Sequence, residues 1–218
     1  MSRRPLSSMV IMTAGALLLS GALAARELAP VKLPAPKMEG GMPLMQALKA
    51  RQSAREFGTG KLSPQVLSNL LWAAWGINRP DGHRTAPSAS NKQEIEIYVT
   101  LPEGAFVWDA GTNTLTPVAA GDLRAATGSQ PFAATAALNL VYVADMTKAG
   151  RPASDPQQAM NVGADTGFIA QNVYLFCASE GLVAVVRASV PKEPLAKQLK
   201  LRDTQVIVLA QSVGYPKK

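Results

Sequence analysis

Two apolar runs of strand length, Leu138 to Val143 and Val206 to Ala210, constrain this chain most. A near-continuous apolar strand has no face to give to water, so both are expected as central strands of a sheet covered on both sides. Between them runs the longest helical pattern, Gln157 to Glu180. There Met160, Ala164, Gly167, Phe168, Ala170, Gln171, Tyr174, Leu175 and Ala178 keep helical spacing, and Gly181 takes the C-cap. The small residues Gly163, Ala164, Gly167 and Ala170 leave room on this helix for the close approach of another backbone.

Upstream, Leu44, Met45, Ala47 and Leu48 open a short helix that ends near Gln52. Ser63-Pro64 reads as an N-cap followed by proline at the first helical position, with Val66, Leu67, Leu70, Leu71, Ala74 and Trp75 continuing the helix to Gly76. A loop rich in Pro, Gly, Ser and Asn follows from Asn78 to Lys92. Ile95, Ile97, Val99 and Leu101 then alternate with Glu96, Tyr98 and Thr100, the period of a half-buried strand. Phe106 to Trp108 and Leu115 to Val118 flank Gly111-Thr112-Asn113 as a hairpin. This order contains no alternating βαβ series and predicts an α+β domain.

Two stretches precede that domain. Arg3 and Arg4 stand before an apolar stretch from Met9 to Leu19, and Ala22-Leu23-Ala24 offers small residues where a signal peptidase reads. About 11 apolar residues are too few for the roughly 20 that cross a bilayer, so residues 1–24 are expected to be a signal peptide and the mature protein to be periplasmic or secreted, with no membrane span. Ser2-Arg3-Arg4-Pro5-Leu6 also resembles the twin-arginine signal, and ordinary and twin-arginine export both stand open. Residues 25–43, with Pro30, Pro34, Pro36, Gly40, Gly41 and Pro43, read as an extended linker without helix or sheet hydrogen bonding. The formal charge of +7 is scattered and never gathers into a basic run of four, so nucleic acid is not an expected partner. With one cysteine and one histidine, disulfides within the chain and Cys/His zinc sites are excluded, and redox chemistry requires a bound cofactor.

Three clusters carry chemistry. In Arg51-Gln52-Ser53-Ala54-Arg55-Glu56-Phe57, an extended backbone would point Arg51, Ser53 and Arg55 the same way. Two guanidinium forks and a hydroxyl suit a phosphate, in geometry and in charge. A solvated basic helix end is the bland alternative. The loop Arg84 to Gln93 offers Pro87 as a restraint and Ser88, Asn91 and Gln93 as donors and acceptors for the edge of a planar ligand, or it is simply a polar turn. The third cluster is the helix end at Ser179-Glu180-Gly181-Leu182 and the strand-like run to Arg187-Ala188-Ser189, where small residues would let a ligand meet backbone N–H groups.

Taken in order, the three clusters resemble the nitroreductase family of flavin enzymes over about residues 44–218. The Arg-x-Ser-x-Arg-x-Phe run is similar to the family's opening flavin motif, Ala86 to Gln93 to its Pro-Ser-x-x-Asn-x-Gln loop, and Gly167 to Leu175 with Gly181-Leu182 to its central helix. The hairpin near Trp108 and the phrase Leu138 to Asp145 resemble most the subgroup that includes the azoline (thiazole-forming) dehydrogenases. The resemblance implies a nitroreductase-like fold, a mostly antiparallel sheet flanked by helices, and FMN bound at a homodimer interface. It implies that Arg51, Ser53 and Arg55, with Gln52 beside them, hold the ribityl phosphate and the polar end of the flavin. Pro87, Ser88 and Asn91 would line the isoalloxazine. Ala188 and Ser189 fall where the family presents a backbone N–H to flavin N5, without the glycine usual there, and Lys217 or Lys218 would close the phosphate site. The activity implied is hydride transfer through flavin N5 to or from a nitroaromatic, a quinone or an azoline-like substrate. A non-catalytic periplasmic ligand-binding protein on the same fold is the alternative. Beyond the motifs, His83 is expected to be exposed and uninvolved in catalysis, Cys177 to be a small buried hydrophobe, and Trp72 and Trp75 to belong to the core.

Overall fold

The computed structural model describes residues 28–218 except 151 and 153. The expected signal peptide, residues 1–24, lies outside the described residues.

The proline-rich stretch is extended, as its composition predicts, yet it is bound to the domain along its length. Its residues Val31–Lys32 (β1) pair antiparallel with Thr114–Leu115, and Leu33 is buried. Pro34 O accepts from Ser68 Oγ at 2.6 Å and from Asn113 Nδ2 at 2.8 Å. The expectation that this stretch makes no sheet hydrogen bonds is thus corrected: proline bars neither its neighbours' N–H groups nor any C=O from bonding.

Two helices follow, α1 at Leu44–Ala50 and α2 at Pro64–Trp75. Ser63 caps α2 by accepting from Val66 N, with proline at the first position. The sheet then begins with β2 (Ile95–Leu101), β3 (Gly104–Asp109) and β4 (Thr114–Ala120). Pro117 is tolerated inside β4 because β1 covers only Thr114 and Leu115, which leaves Pro117 on an open edge beside a register shift in β3. A one-turn helix α3 (Phe132–Thr135) leads to β5 (Leu138–Asp145), and α4 (Met146–Ala149) leads to the long α5 (Pro156–Ser179). The chain closes with β6 (Val183–Arg187), α6 (Lys192–Gln198) and β7 (Gln205–Gly214).

All seven strands are antiparallel neighbours, in the order β1-β4-β3-β2-β5-β7-β6. The α+β reading is correct. β5 lies inside the sheet between β2 and β7, and all eight of its residues are buried. Alternation along it separates two cores: Leu138, Leu140 and Tyr142 meet α2 and α5, while Val141 and Val143 meet Leu195 and Leu199 near α6. This second layer explains two departures from expectation. β2 is not half-buried, because Tyr98 and Thr100 are covered as well. β7 is covered continuously only from Ala210 onward; before it Ile207 is buried but Val206 is 37 % exposed, and the strand lies next to the edge rather than at the centre. Helix α5 ends as a Schellman turn, with Gly181 at φ +68° one residue past the cap and Leu182 N donating to Cys177 O. Among the described residues no helix is long and apolar enough to cross a membrane.

Candidate functional site

Beyond the end of α1 the chain is extended, and it runs beside the edge strand β6. Ser53 forms a parallel bridge with Ala184, Ala54 N donates to Ala184 O at 3.0 Å, and Phe57 bridges Pro216 near the C-terminus. Arg51, Ser53 and Arg55 therefore alternate along a strand-like segment as predicted, and Lys217 follows directly on the bridged Pro216.

Tyr174, on α5, organises this edge. Its hydroxyl sits 2.8 Å from Ser53 Oγ and accepts from Val186 N at 2.8 Å, so one side chain joins the arginine segment to β6. The Arg51 guanidinium lies 5.4 Å from the centre of the same ring. No carboxylate among the described residues forms an ion pair with Arg51 or Arg55. The edge is cationic and unneutralised, and it presents paired N–H donors, which is what a phosphate requires.

Ala188 and Ser189 are exposed and follow the last ladder pair of β6, Arg187 with Ala210; Ala188 O accepts from Val190 N at 2.9 Å, and their N–H groups lie outside the ladder. Ser189 Oγ accepts from Gln130 Nε2 at 2.6 Å. Beneath them Arg187 is 5 % exposed and has no carboxylate partner among the described residues. Its two terminal nitrogens donate to Thr127 O, Thr127 Oγ1, Asn139 Oδ1 and Ser212 Oγ, and its Nε has no acceptor. Burial pushes this guanidinium down to about 10, and it stays charged at neutral pH. Gly128 passes so close that a Cβ there would collide with Arg187. Sequence reasoning missed Tyr174 and Arg187 as parts of this edge, since each acts through partners far along the chain and leaves no local pattern.

The second cluster lies elsewhere. Its loop is fastened to α5 by Ala89 N donating to Asp165 Oδ2 at 2.9 Å. Asp165 and Tyr174 are roughly 13 Å apart along the helix axis. The chain thus sets Arg51, Gln52, Ser53 and Arg55 beside β6, with Lys217 after the bridged Pro216 and Ala188 and Ser189 after the end of β6, and leaves Pro87, Ser88 and Asn91 at another place along α5. Several loop groups bond to one another: Ser88 Oγ accepts from Gln93 N, Asn91 Oδ1 accepts from Gln93 Nε2, and Gln93 Oε1 accepts from Arg84 Nε. Gln93 is a brace of the loop rather than a free reader of a ligand edge. Ser90, Asn91 and Gln93 all have positive φ, near +50°.

Of the remaining expectations, Cys177 is buried, which pushes its thiol well above the ordinary range, and it serves as core. Trp75 is buried with Nε1 donating to Ile95 O. Trp72 is not core: it is half-buried and lines a groove of about 760 Å³ with Val66, Asn69, Leu175 and Phe176, under the segment Lys37 to Met42. His83 is half-exposed beside Asp81.

A model described as the nitroreductase family matches residues 48–215. A Methanocaldococcus jannaschii protein named as a nitroreductase is 27 % identical over 176 residues, 76 % of this chain and 88 % of that one. A Ralstonia eutropha crystal structure, also named as a nitroreductase, is 35 % identical and covers 99 % of this chain and 98 % of its own, with a TM-score of 0.82. An NADPH:FMN oxidoreductase from Vibrio harveyi, complexed with NAD+, shares the fold at 19 % identity and a TM-score of 0.60, covering 80 % of this chain and 69 % of its own.

Proposed function

The chain belongs to the nitroreductase family, whose members are oxidoreductases, and we propose from that membership an FMN-dependent enzyme that acts as a homodimer, and from the Arg3-Arg4 and apolar Met9 to Leu19 pattern that it is exported. The observation that carries this reading is the sheet edge around Tyr174, where the segment of Arg51, Ser53 and Arg55 runs beside β6, the strand that leads on to Ala188 and Ser189. The residues fit a flavin mononucleotide. Two unpaired guanidinium groups and a hydroxyl answer its phosphate, and exposed backbone N–H groups answer its ring nitrogen. The Vibrio harveyi relative is named for FMN use, which agrees. Bound FMN would accept and return a hydride at N5, with a nitroaromatic, a quinone or an azoline-like molecule as the other substrate. Azoline dehydrogenation would run the hydride from substrate to flavin.

Dimerisation supplies what one protomer lacks. Helix α5 exposes Met160 (62 %) and Phe168 (47 %), and added Cβ atoms at Gly163 and Gly167 would meet nothing within 4 Å. A two-fold axis across this face would run two α5 helices antiparallel. The end bearing the Pro87–Asn91 loop of one copy would then lie beside the Tyr174 end of the other, so Pro87, Ser88 and Asn91 would face a flavin held by their partner.

The test is an absorbance spectrum of the purified protein with mass identification of any released chromophore. Yellow protein that releases FMN supports the proposal. Colourless protein that FMN cannot reconstitute overturns it and leaves a ligand-binding protein on this fold. Export is tested by the mass of the secreted chain, expected to begin near Ala25.

A further inference from the structure

Beneath the loop that carries Pro87, Ser88 and Asn91 lies a buried pair of acids. Glu94 is 1 % exposed and Asp165 is 2 % exposed. No side chain donates to either Glu94 oxygen, and its own backbone N–H draws the carboxyl toward the ionised form. The group in hydrogen-bonding reach is the Asp165 carboxyl, and two carboxyl groups bond only when one of them holds a proton. The other oxygen of Asp165 accepts from Ala89 N, the first residue of the turn Ala89–Asn91. The turn needs such a fastening, because Ser90, Asn91 and Gln93 sit at φ of 53°, 52° and 49°, a region that costs residues with side chains.

We propose that the Glu94–Asp165 pair is a proton-operated latch: a proton shared between the two acids holds the loop Ala89–Gln93 on α5, and loss of that proton frees it. The cations around the pair oppose retention of the proton. Lys148, at the start of the segment after β5, draws Glu94 toward its ionised form, and Lys92 lines the same polar cavity of about 240 Å³. Gln157, Gln158 and Asn161 face the cavity from α5 as neutral amides. Burial outweighs these influences and, with Asp165 close by, raises the Glu94 carboxyl from its ordinary 4.5 to about 7. A freed Glu94 returns toward the ordinary value. The folded loop therefore binds the proton more tightly than the opened loop, and its stability falls as pH rises from about 4.5 through about 7 and is flat above. As far as the loop lines a flavin, which rests on the function proposed above, flavin affinity falls over the same range.

The test is residue-resolved amide exchange on the purified full chain. Protection of the Ala89 amide, corrected for intrinsic exchange, is expected to fall by about tenfold or more between pH 5.5 and 7.5. Glu94→Gln, which keeps a neutral donor in place, is expected to hold protection high and level. A level profile in the unaltered protein, or a fall that persists in Glu94→Gln, overturns the latch. Should Glu94→Gln not fold, Asp165→Asn serves: the fall is expected to move to lower pH, and an unmoved fall overturns the proposal. No flavin enters this measurement, so its failure and failure of the FMN reading are separate results.

Discussion

The hydroxyl of Tyr174 serves two masters, Ser53 Oγ and Val186 N, and so holds a segment near the chain's start against a strand near its end. Tyr174→Phe leaves the Val186 N–H unpaired and is expected to lower stability by about 2 kcal/mol, read by denaturant unfolding. Arg51→Ala and Arg55→Ala each remove a charge-assisted donor and are expected to weaken FMN binding by about tenfold or more in fluorescence titration, while substitution of the remote exposed Lys61 leaves it unchanged. The Arg-x-Ser-x-Arg alternation was legible in the sequence because an extended backbone has a fixed period of two. The role of Arg187 was not, since a charge that bonds Thr127, Asn139 and Ser212 is invisible until three distant segments meet. Ser88 and Asn91 read as flavin contacts by resemblance and as part of a polar turn by themselves, and in the fold both accept from Gln93 within the loop.

At the scale of elements, local signals located most of the helices and strands. Ser63-Pro64 starts α2 and Gly181 ends α5, each for a reason contained in a few residues. Gly181→Ala is expected to cost about 1 kcal/mol in unfolding free energy, and purely through its backbone, since a Cβ there meets nothing within 4 Å. A full loss of folding on that change would contradict the open surroundings. Burial of elements was less legible than their position. β2 looked one-sided because Glu96, Tyr98 and Thr100 are polar or amphipathic, but the layer at α6 covers Tyr98 and Thr100. β1 went unseen because two paired residues in a proline-rich stretch carry no periodicity.

For the whole molecule, α5 exposes Met160 and Phe168, which the proposed dimer would cover. Phe168→Asp is expected to convert a dimer to a monomer in light scattering and to strip the protein of flavin, because the loop and the arginine edge would no longer meet. A variant that stays dimeric would place the contact on another face. The sequence by itself determined the α+β class, the long helix with its small-residue stripe and the alternation of Arg51, Ser53 and Arg55, since each follows from periodicity or spacing over short range. Only the tertiary structure decided that Arg51 to Phe57 runs along β6, that the Pro87–Asn91 loop lies apart from it in one protomer, and that Glu94 and Asp165 share a buried site. Those facts depend on contacts between residues dozens of positions apart, and no local pattern encodes a contact that the chain makes only after its sheet has closed.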